Sequence, residues 1–188
     1  YGPGAVAGVI NLIPRDPQKS GGQFSLGMQT MPGDTFGQDP GGSFFGLYDH
    51  VIRDGSFKVT VFGGFDRIQP TDIAGDGFTD VSERDLFNGG FRLVWNPNPV
   101  HKFSFDYFAS DEERLGGDIQ IFGRPANTGV IAEEIFSQRH VATAKWVADF
   151  NENWNTSFAY SYSRTDRDSY YGGTVSYTHL TLPTMRLV

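Results

Sequence analysis

The sequence predicts an all-β chain, from two patterns and its composition. Apolar and polar residues alternate over short segments, which is the period of a strand with one apolar face. Tight turns also alternate with long polar connections along the chain. Aromatic residues make up 15% of the chain and cysteine is absent, so neither a disulfide framework nor a thiolate metal site is expected.

About seven strands are predicted from this alternation. The clearest sets Phe103, Phe105 and Tyr107 on one face. Ser104 and Asp106 alternate with them on the other face. In chain order, the predicted strands are Gln23–Met31, Ser43–Ile52, Phe57–Asp66, Gly90–Trp95, Lys102–Ser110, His140–Phe150 and Thr156–Arg164.

The connections differ in length in a regular way. Short turns are predicted at Arg53–Gly55, Asn96–Pro99 and Asn151–Asn153, and long loops at Pro32–Gly42, Gln69–Phe87 and Asp111–Glu134. Outer-membrane barrels place their short turns at one end and their long loops at the other. The pattern therefore predicts part of a transmembrane, antiparallel, up-and-down β-barrel. A soluble β-sandwich whose core holds the aromatic rings is the alternative.

The cost of burying charge in lipid predicts which face is which. A lysine at the bilayer midplane costs about 2–4 kcal/mol, whereas aromatic residues are favourable in lipid or at its surface. Phe103, Phe105 and Tyr107 should therefore face lipid, and Ser104 and Asp106 the barrel interior. Seven strands are too few, and an odd number, for a closed bacterial barrel, so residues 18–174 are expected to be the N-terminal part of a larger one.

The chain opens on a different pattern. Gly2, Gly4 and Gly8 form a small-residue turn, and the apolar run that follows reads as a buried strand that ends at Pro14. A dinucleotide-binding loop is disfavoured, because the glycine spacing is wrong and the following segment is strand-like rather than helical.

Read in full, this run is Tyr-Gly-Pro-Gly-Ala-Val-Ala-Gly-Val-Ile-Asn-Leu-Ile. It resembles the segment that closes the plug domain of TonB-dependent outer-membrane receptors, and departs from the usual form at Ala7, Pro14 and Asp16. The resemblance implies that residues 1–17 are the end of a plug and that the complete barrel has twenty-two strands. Its structural residues would be Tyr1, Gly2, Gly4, Gly8 and Asn11.

What the resemblance implies is active uptake of a scarce ligand across the bacterial outer membrane: a ferric siderophore, haem, cobalamin or an oligosaccharide. The implied partners are the TonB complex, outer-membrane lipid and the small-molecule ligand. Nucleic acid is not expected, because the net charge is -7 and the pI about 4.9. The alternatives are a passive outer-membrane porin and a soluble β-sandwich binding module.

No residues predict an enzyme. The four histidines lie far apart, so a metal triad is not expected, and Asp111-Glu112-Glu113 is interpreted as a solvated rim rather than a glycosidase pair. Polar residues predicted for the barrel interior or loops could contact ligand or only line the wall: Arg92, Asp106, Arg114 and Arg139.

One loop has spacing related to a calcium site. Asp72, Asp76, Asp80 and Glu83 take ligand positions of an EF-hand-like loop. Ala74 stands where another oxygen ligand is needed, so an acidic, hydrated loop is the alternative reading. No other cofactor is predicted.

The end of the sequence departs from the pattern before it. Residues 175–188 lack the aromatic alternation and resemble a translated sequencing-adapter tail. They are expected to be artefactual.

Overall fold

The computed structural model describes residues 14–35, 41–52, 55–122, 130–172 and 175–187, with the backbone alone for 34–35 and 175–187. The plug-like segment, with Tyr1, Gly2, Gly4, Gly8 and Asn11, lies outside the described residues.

The described chain is all-β apart from one turn of 3-10 helix at Ile119–Ile121. Its strands are β1 (Gly21–Met28), β2 (Asp34–Thr35), β3 (Gly42–Ile52), β4 (Phe57–Ile68), β5 (Thr71–Asp72), β6 (Glu83–Trp95), β7 (His101–Gly117), β8 (Ala132–Asn151), β9 (Trp154–Tyr171) and β10 (Val175–Leu187).

Eight of these strands form one antiparallel sheet in the order β1-β3-β4-β6-β7-β8-β9-β10. Each long strand therefore lies beside the one that precedes it in the chain, which is an up-and-down arrangement. The sheet is open, with β1 and β10 at its edges, and β2 pairs with β5 in a separate two-stranded ribbon. The predicted all-β class is confirmed.

The predicted loops at one end were too long. β6 begins at Glu83 rather than at Gly90. β7 continues to Gly117 rather than ending at Ser110, and β8 begins at Ala132 rather than at His140. Polar residues continue the backbone ladder there, as in the pair Asp111 and Gln138. The alternation of apolar and polar residues indicates which face of a strand is apolar. It does not indicate the residue at which the backbone hydrogen bonds of the strand end. In the opposite direction, β1 ends at Met28, three residues before the predicted Met31.

The register sorts side chains onto two faces, because residues directly opposite each other on neighbouring strands share a face. Adjacent Phe44 and Phe45 separate in this way, Phe44 opposite Phe65 and Phe45 opposite Gly64. The apolar face carries Phe24, Leu26, Phe44, Tyr48, Phe57, Val61, Phe65, Phe87, Phe91, Trp95, Phe103, Phe105, Tyr107, Ala144, Trp146, Phe158 and Tyr162. The polar face carries Asp49, Thr60, Arg92, Ser104, Asp106, Thr143 and Ser161.

Within the described residues, no second sheet covers the apolar face. Phe24 and Leu26 are each 75% exposed, and Met28 is 88% exposed. Ring contacts instead run across the strands on that face, as between Trp95 and Phe103, whose ring centres are 5.3 Å apart. Nor does this part of the chain hold a helix that is both long and apolar enough to cross a membrane.

The polar face is not uniformly polar. Phe62 lies 6.4 Å from Phe108 and 6.5 Å from Phe45, measured between ring centres. Gly90 lies directly opposite both Phe62 and Phe108, so the missing side chain leaves room for the two rings to meet above it.

The backbone of β10 pairs with β9 from Val175 opposite Tyr171 to Leu187 opposite Tyr160. This pairing does not bear on the origin of residues 175–188, and their artefactual nature stays a prediction.

Candidate functional site

The most connected polar cluster lies on the polar face, where the segment before β1 crosses the sheet. Arg92 Nη1 donates to both carboxylate oxygens of Asp106, at 2.6 and 2.7 Å, and Arg92 Nη2 donates to Asp16 Oδ1 at 3.0 Å. Lys102 Nζ donates to the other oxygen of Asp16. We call Asp16, Arg92, Lys102 and Asp106 the Asp16 clamp.

A second contact ties the same segment to β3. Arg15 Nη2 lies 3.0 Å from Asp49 Oδ2, and the Thr60 hydroxyl donates to Asp49 Oδ1 at 2.6 Å. The Arg15 side chain is 70% exposed, so this ion pair contributes little to stability.

The segment 14–20 covers part of the polar face. Pro17 in this segment and Val94 on β6 are both fully buried. Ser20 holds its far end, where the Ser20 hydroxyl accepts from the Val51 N–H at 2.9 Å.

The surroundings of Asp16 shift its pKa. Partial burial alone would raise the pKa, but hydrogen bonds from Lys102 and Arg92 and the charges of both outweigh it and hold the pKa of Asp16 below its ordinary value. Asp16 is therefore ionised, and the clamp is formed, at neutral pH.

Acid is expected to weaken the clamp. A carboxylate with a lowered pKa in the folded state contributes stability above its unfolded pKa, and this contribution is lost as the pH falls below about 4. The free energy of unfolding should fall between pH 7 and pH 3, and fall less in Asp16→Asn. An equal fall in both proteins would contradict this expectation.

The four polar residues predicted as wall or ligand contacts do not form one site. Arg92 and Asp106 meet in the clamp, whereas Arg114 donates to Glu112 at 2.7 Å and Arg139 is exposed near the long-loop end. Sequence reasoning missed Asp16 as their partner, because it lies 76 residues from Arg92. The available signal was its departure from the usual form of the segment that residues 1–13 resemble, which placed a carboxylate shortly before β1.

The acidic loop is ordered by backbone hydrogen bonds to its carboxylates. Asp72 accepts from the N–H groups of Gly75 and Gly77, at 2.6 and 2.9 Å. Asp80 accepts from the N–H groups of residues 73 and 74, at 2.7 and 2.9 Å, and Asp76 from that of residue 78 at 3.0 Å. Glu83 lies in β6. The carboxylates thus fix turns, and within the described residues no cluster of His, Cys, Asp or Glu is arranged to hold a metal ion. Calcium stays a prediction without support from this geometry.

Because Asp72 fixes this turn, replacing Asp72 is expected to disorder the loop locally. Asp72→Ala removes the acceptor for two N–H groups at glycines whose φ angles are positive, at a cost of about 1–3 kcal/mol. Limited proteolysis should cut residues 69–82 faster in Asp72→Ala, whereas exposed Asp76→Ala should change little. Added Ca²⁺ should not protect the unaltered loop; protection that Asp76→Ala abolishes would instead support a calcium site.

Two of the long loops, β5–β6 and the described part of β7–β8, pack together rather than standing apart in water. Thr79 N–H donates to the Gly117 carbonyl at 2.9 Å, and Ile119 N–H donates to the Gly77 carbonyl at 3.0 Å. Ile121, in the second of these loops, is fully buried. The described parts of the two loops are therefore packed against each other.

The other candidates remain separate. Three histidine side chains are described and each has its own neighbour: His50 lies by Ser20, His101 by Trp146 and His140 by Tyr107. The Asp111–Glu113 run lies in the extended part of β7, where Asp111 accepts from Gln138 at 3.0 Å.

Comparisons of this chain with known protein families, with curated proteins and with solved structures found no match.

Proposed function

We propose that this chain is part of a TonB-dependent receptor that takes up a scarce ligand, such as a ferric siderophore, haem or cobalamin, across the bacterial outer membrane. The proposal joins the plug-like segment at the start of the sequence with two properties of the sheet: the slant of its apolar face and the segment held on its polar face. The protein would act as a transporter and not as an enzyme.

The slant of the apolar face is the observation that carries the membrane part of the proposal. On β1 the face stays apolar as far as Met28. When the residues paired directly opposite one another are followed from Met28 strand by strand across the sheet, they lead to Asp168 on β9. On β9 the apolar face already ends at Tyr162, six residues before Asp168, and Arg164 and Asp166 follow. The edge of the apolar band therefore does not follow the register rows.

This slant corresponds to a strand tilt. Between β1 and β9 the band edge moves six residues over six steps, an average of one residue per strand, although Phe136 on β8 lies beyond this line. With a rise of about 3.3 Å per residue and a strand spacing of about 4.8 Å, a flat boundary would cross strands tilted by about 35°. Transmembrane barrels tilt their strands by about 35–45°, so the band fits a planar membrane. A sandwich core gives no reason for such a slant.

The polar face supports the transporter reading. In a barrel whose apolar face meets lipid, the polar face lines the interior, and here it carries the ion network that holds residues 14–20. These residues directly follow the run that resembles the end of a plug. A passive porin has no reason to fasten such a segment inside its wall.

Uptake measurements test the proposal. Cells that carry the full-length protein should accumulate a radiolabelled ferric siderophore, haem or cobalamin, and cells that lack it should not. Loss of TonB, or collapse of the proton gradient, should abolish the uptake. Uptake that continues without either would favour a passive porin, and release of the protein from cells without detergent would favour a soluble β-sandwich module.

A further inference from the structure

Arg92 is shared between two carboxylates that belong to different parts of the molecule. Asp106 is fixed on the neighbouring strand β7, whereas Asp16 lies on the segment that crosses the sheet. The Arg92 side chain is 12% exposed, so it has little access to water in place of either carboxylate.

We propose that Asp16 and Asp106 compete for Arg92, so that residues 14–20 form a strap over the polar face that can detach and leave Arg92 paired. The strap would pivot at Ser20 and uncover Arg92 and Lys102, the two residues of the sheet that hold Asp16. This inference stands on the polar face alone and does not depend on transport.

The hydrogen bonds of Arg92 make detachment inexpensive. Its Nη1 already serves both oxygens of Asp106, and its Nε is buried without a hydrogen-bond partner. When Asp16 leaves, Nη2 becomes free to join Asp106 in a two-nitrogen fork, which is the favoured geometry of an arginine–carboxylate pair. Detachment therefore does not leave Nη2 without an acceptor, while Nε has no partner in the attached state and gains none from this fork.

The other contacts between the strap and the sheet are of two kinds: exposed ion pairs that water can replace, and a hydrogen bond at Ser20 that would remain. Lys102 is 41% exposed and can exchange Asp16 for water, and Arg15 is 70% exposed, while its partner Asp49 keeps the hydrogen bond from Thr60. The bond from the Val51 N–H to the Ser20 hydroxyl lies at the start of β1 and does not depend on Asp16. Detachment would thus free residues 14–19 while the start of β1 stays in place.

A cysteine placed in the strap can report detachment, because residues 1–188 contain none, and any cysteine elsewhere in the full-length protein is first replaced by serine. Pro17 lies in the strap and is fully buried while the strap is attached, so in the full-length Pro17→Cys protein a maleimide should react slowly. Adding Asp16→Asn should raise the rate roughly tenfold, because two charged hydrogen bonds lose their ionised acceptor. Adding Asp106→Asn should lower the rate, because Arg92 then serves Asp16 alone.

Asp66→Asn is the matched control, since Asp66 pairs with Arg84 elsewhere on the polar face, and it should leave the rate unchanged. Hydrogen exchange of residues 14–20 in variants that keep Pro17 should rank the proteins in the same order. If Asp106→Asn speeds both measurements as much as Asp16→Asn does, the cluster is a rigid scaffold, and the competing-strap proposal is overturned. It is also overturned if Asp16→Asn changes neither.

Discussion

Ala144→Lys is expected to cost about 2–4 kcal/mol of folding free energy in a lipid bilayer, which is the cost of a lysine on the lipid side near the midplane. Ala144 lies on the apolar face, opposite Phe105 and Tyr160. It is exposed in the sheet, so in water a lysine at this position would meet no obstacle. The expected loss therefore arises from the surrounding solvent and not from lost packing.

The neighbouring residue supplies the control. Thr143 lies on the polar face, opposite Asp106 and Ser161, so Thr143→Lys adds the same charge one residue away and toward a carboxylate. Folding of the full-length protein into lipid vesicles, followed by urea unfolding, should show a large loss for Ala144→Lys and a smaller one for Thr143→Lys, which gives up the hydrogen bond between the Thr143 and Ser161 hydroxyls. Equal effects of the two lysines would remove the case for a lipid-facing apolar surface.

The sequence predicted the sheet well, because the faces of strands repeat every two residues. The register places Phe103 and Phe105 on one face of β7 and Ser104 and Asp106 on the other, as the alternation predicted. The same logic failed at strand ends. There, residues such as Asp111 and Glu112 pair along the backbone without an apolar face to mark them.

Long-range polar contacts were beyond the sequence for a different reason. Asp16 meets Arg92 and Lys102 only because three separate segments cross at one point of the sheet. Charge alone does not specify that crossing, since many acidic and basic residues lie at similar positions in other strands. In the acidic loop, the spacing of the carboxylates resembled that of a metal site, but the carboxylate oxygens of Asp72 and Asp80 accept hydrogen bonds from backbone N–H groups.

Gly90→Ala is expected to destabilise the sheet by about 1–3 kcal/mol, although alanine is ordinarily the better strand residue. A methyl group at Gly90 would overlap the Tyr107 carbonyl oxygen and lie 2.9 Å from the Phe62 ring. A backbone carbonyl in a ladder cannot move aside alone, so β6 and β7 would have to separate locally. The stack of Phe62 on Phe108 above this point would be lost with it.

Gly46→Ala distinguishes this crowding from the general effect of replacing a strand glycine. A methyl group there meets only the Phe44 ring, at 3.5 Å, so the variant should unfold at the same urea concentration as the unaltered protein or slightly above it. Gly90→Ala should unfold at a lower concentration with an unchanged urea dependence. If the two variants behave alike, the strands do not approach closely at Gly90. Because Gly90 lies two residues from Arg92, a local separation of β6 from β7 should also loosen the pairing of Arg92 with Asp106 and shift that arginine toward the strap.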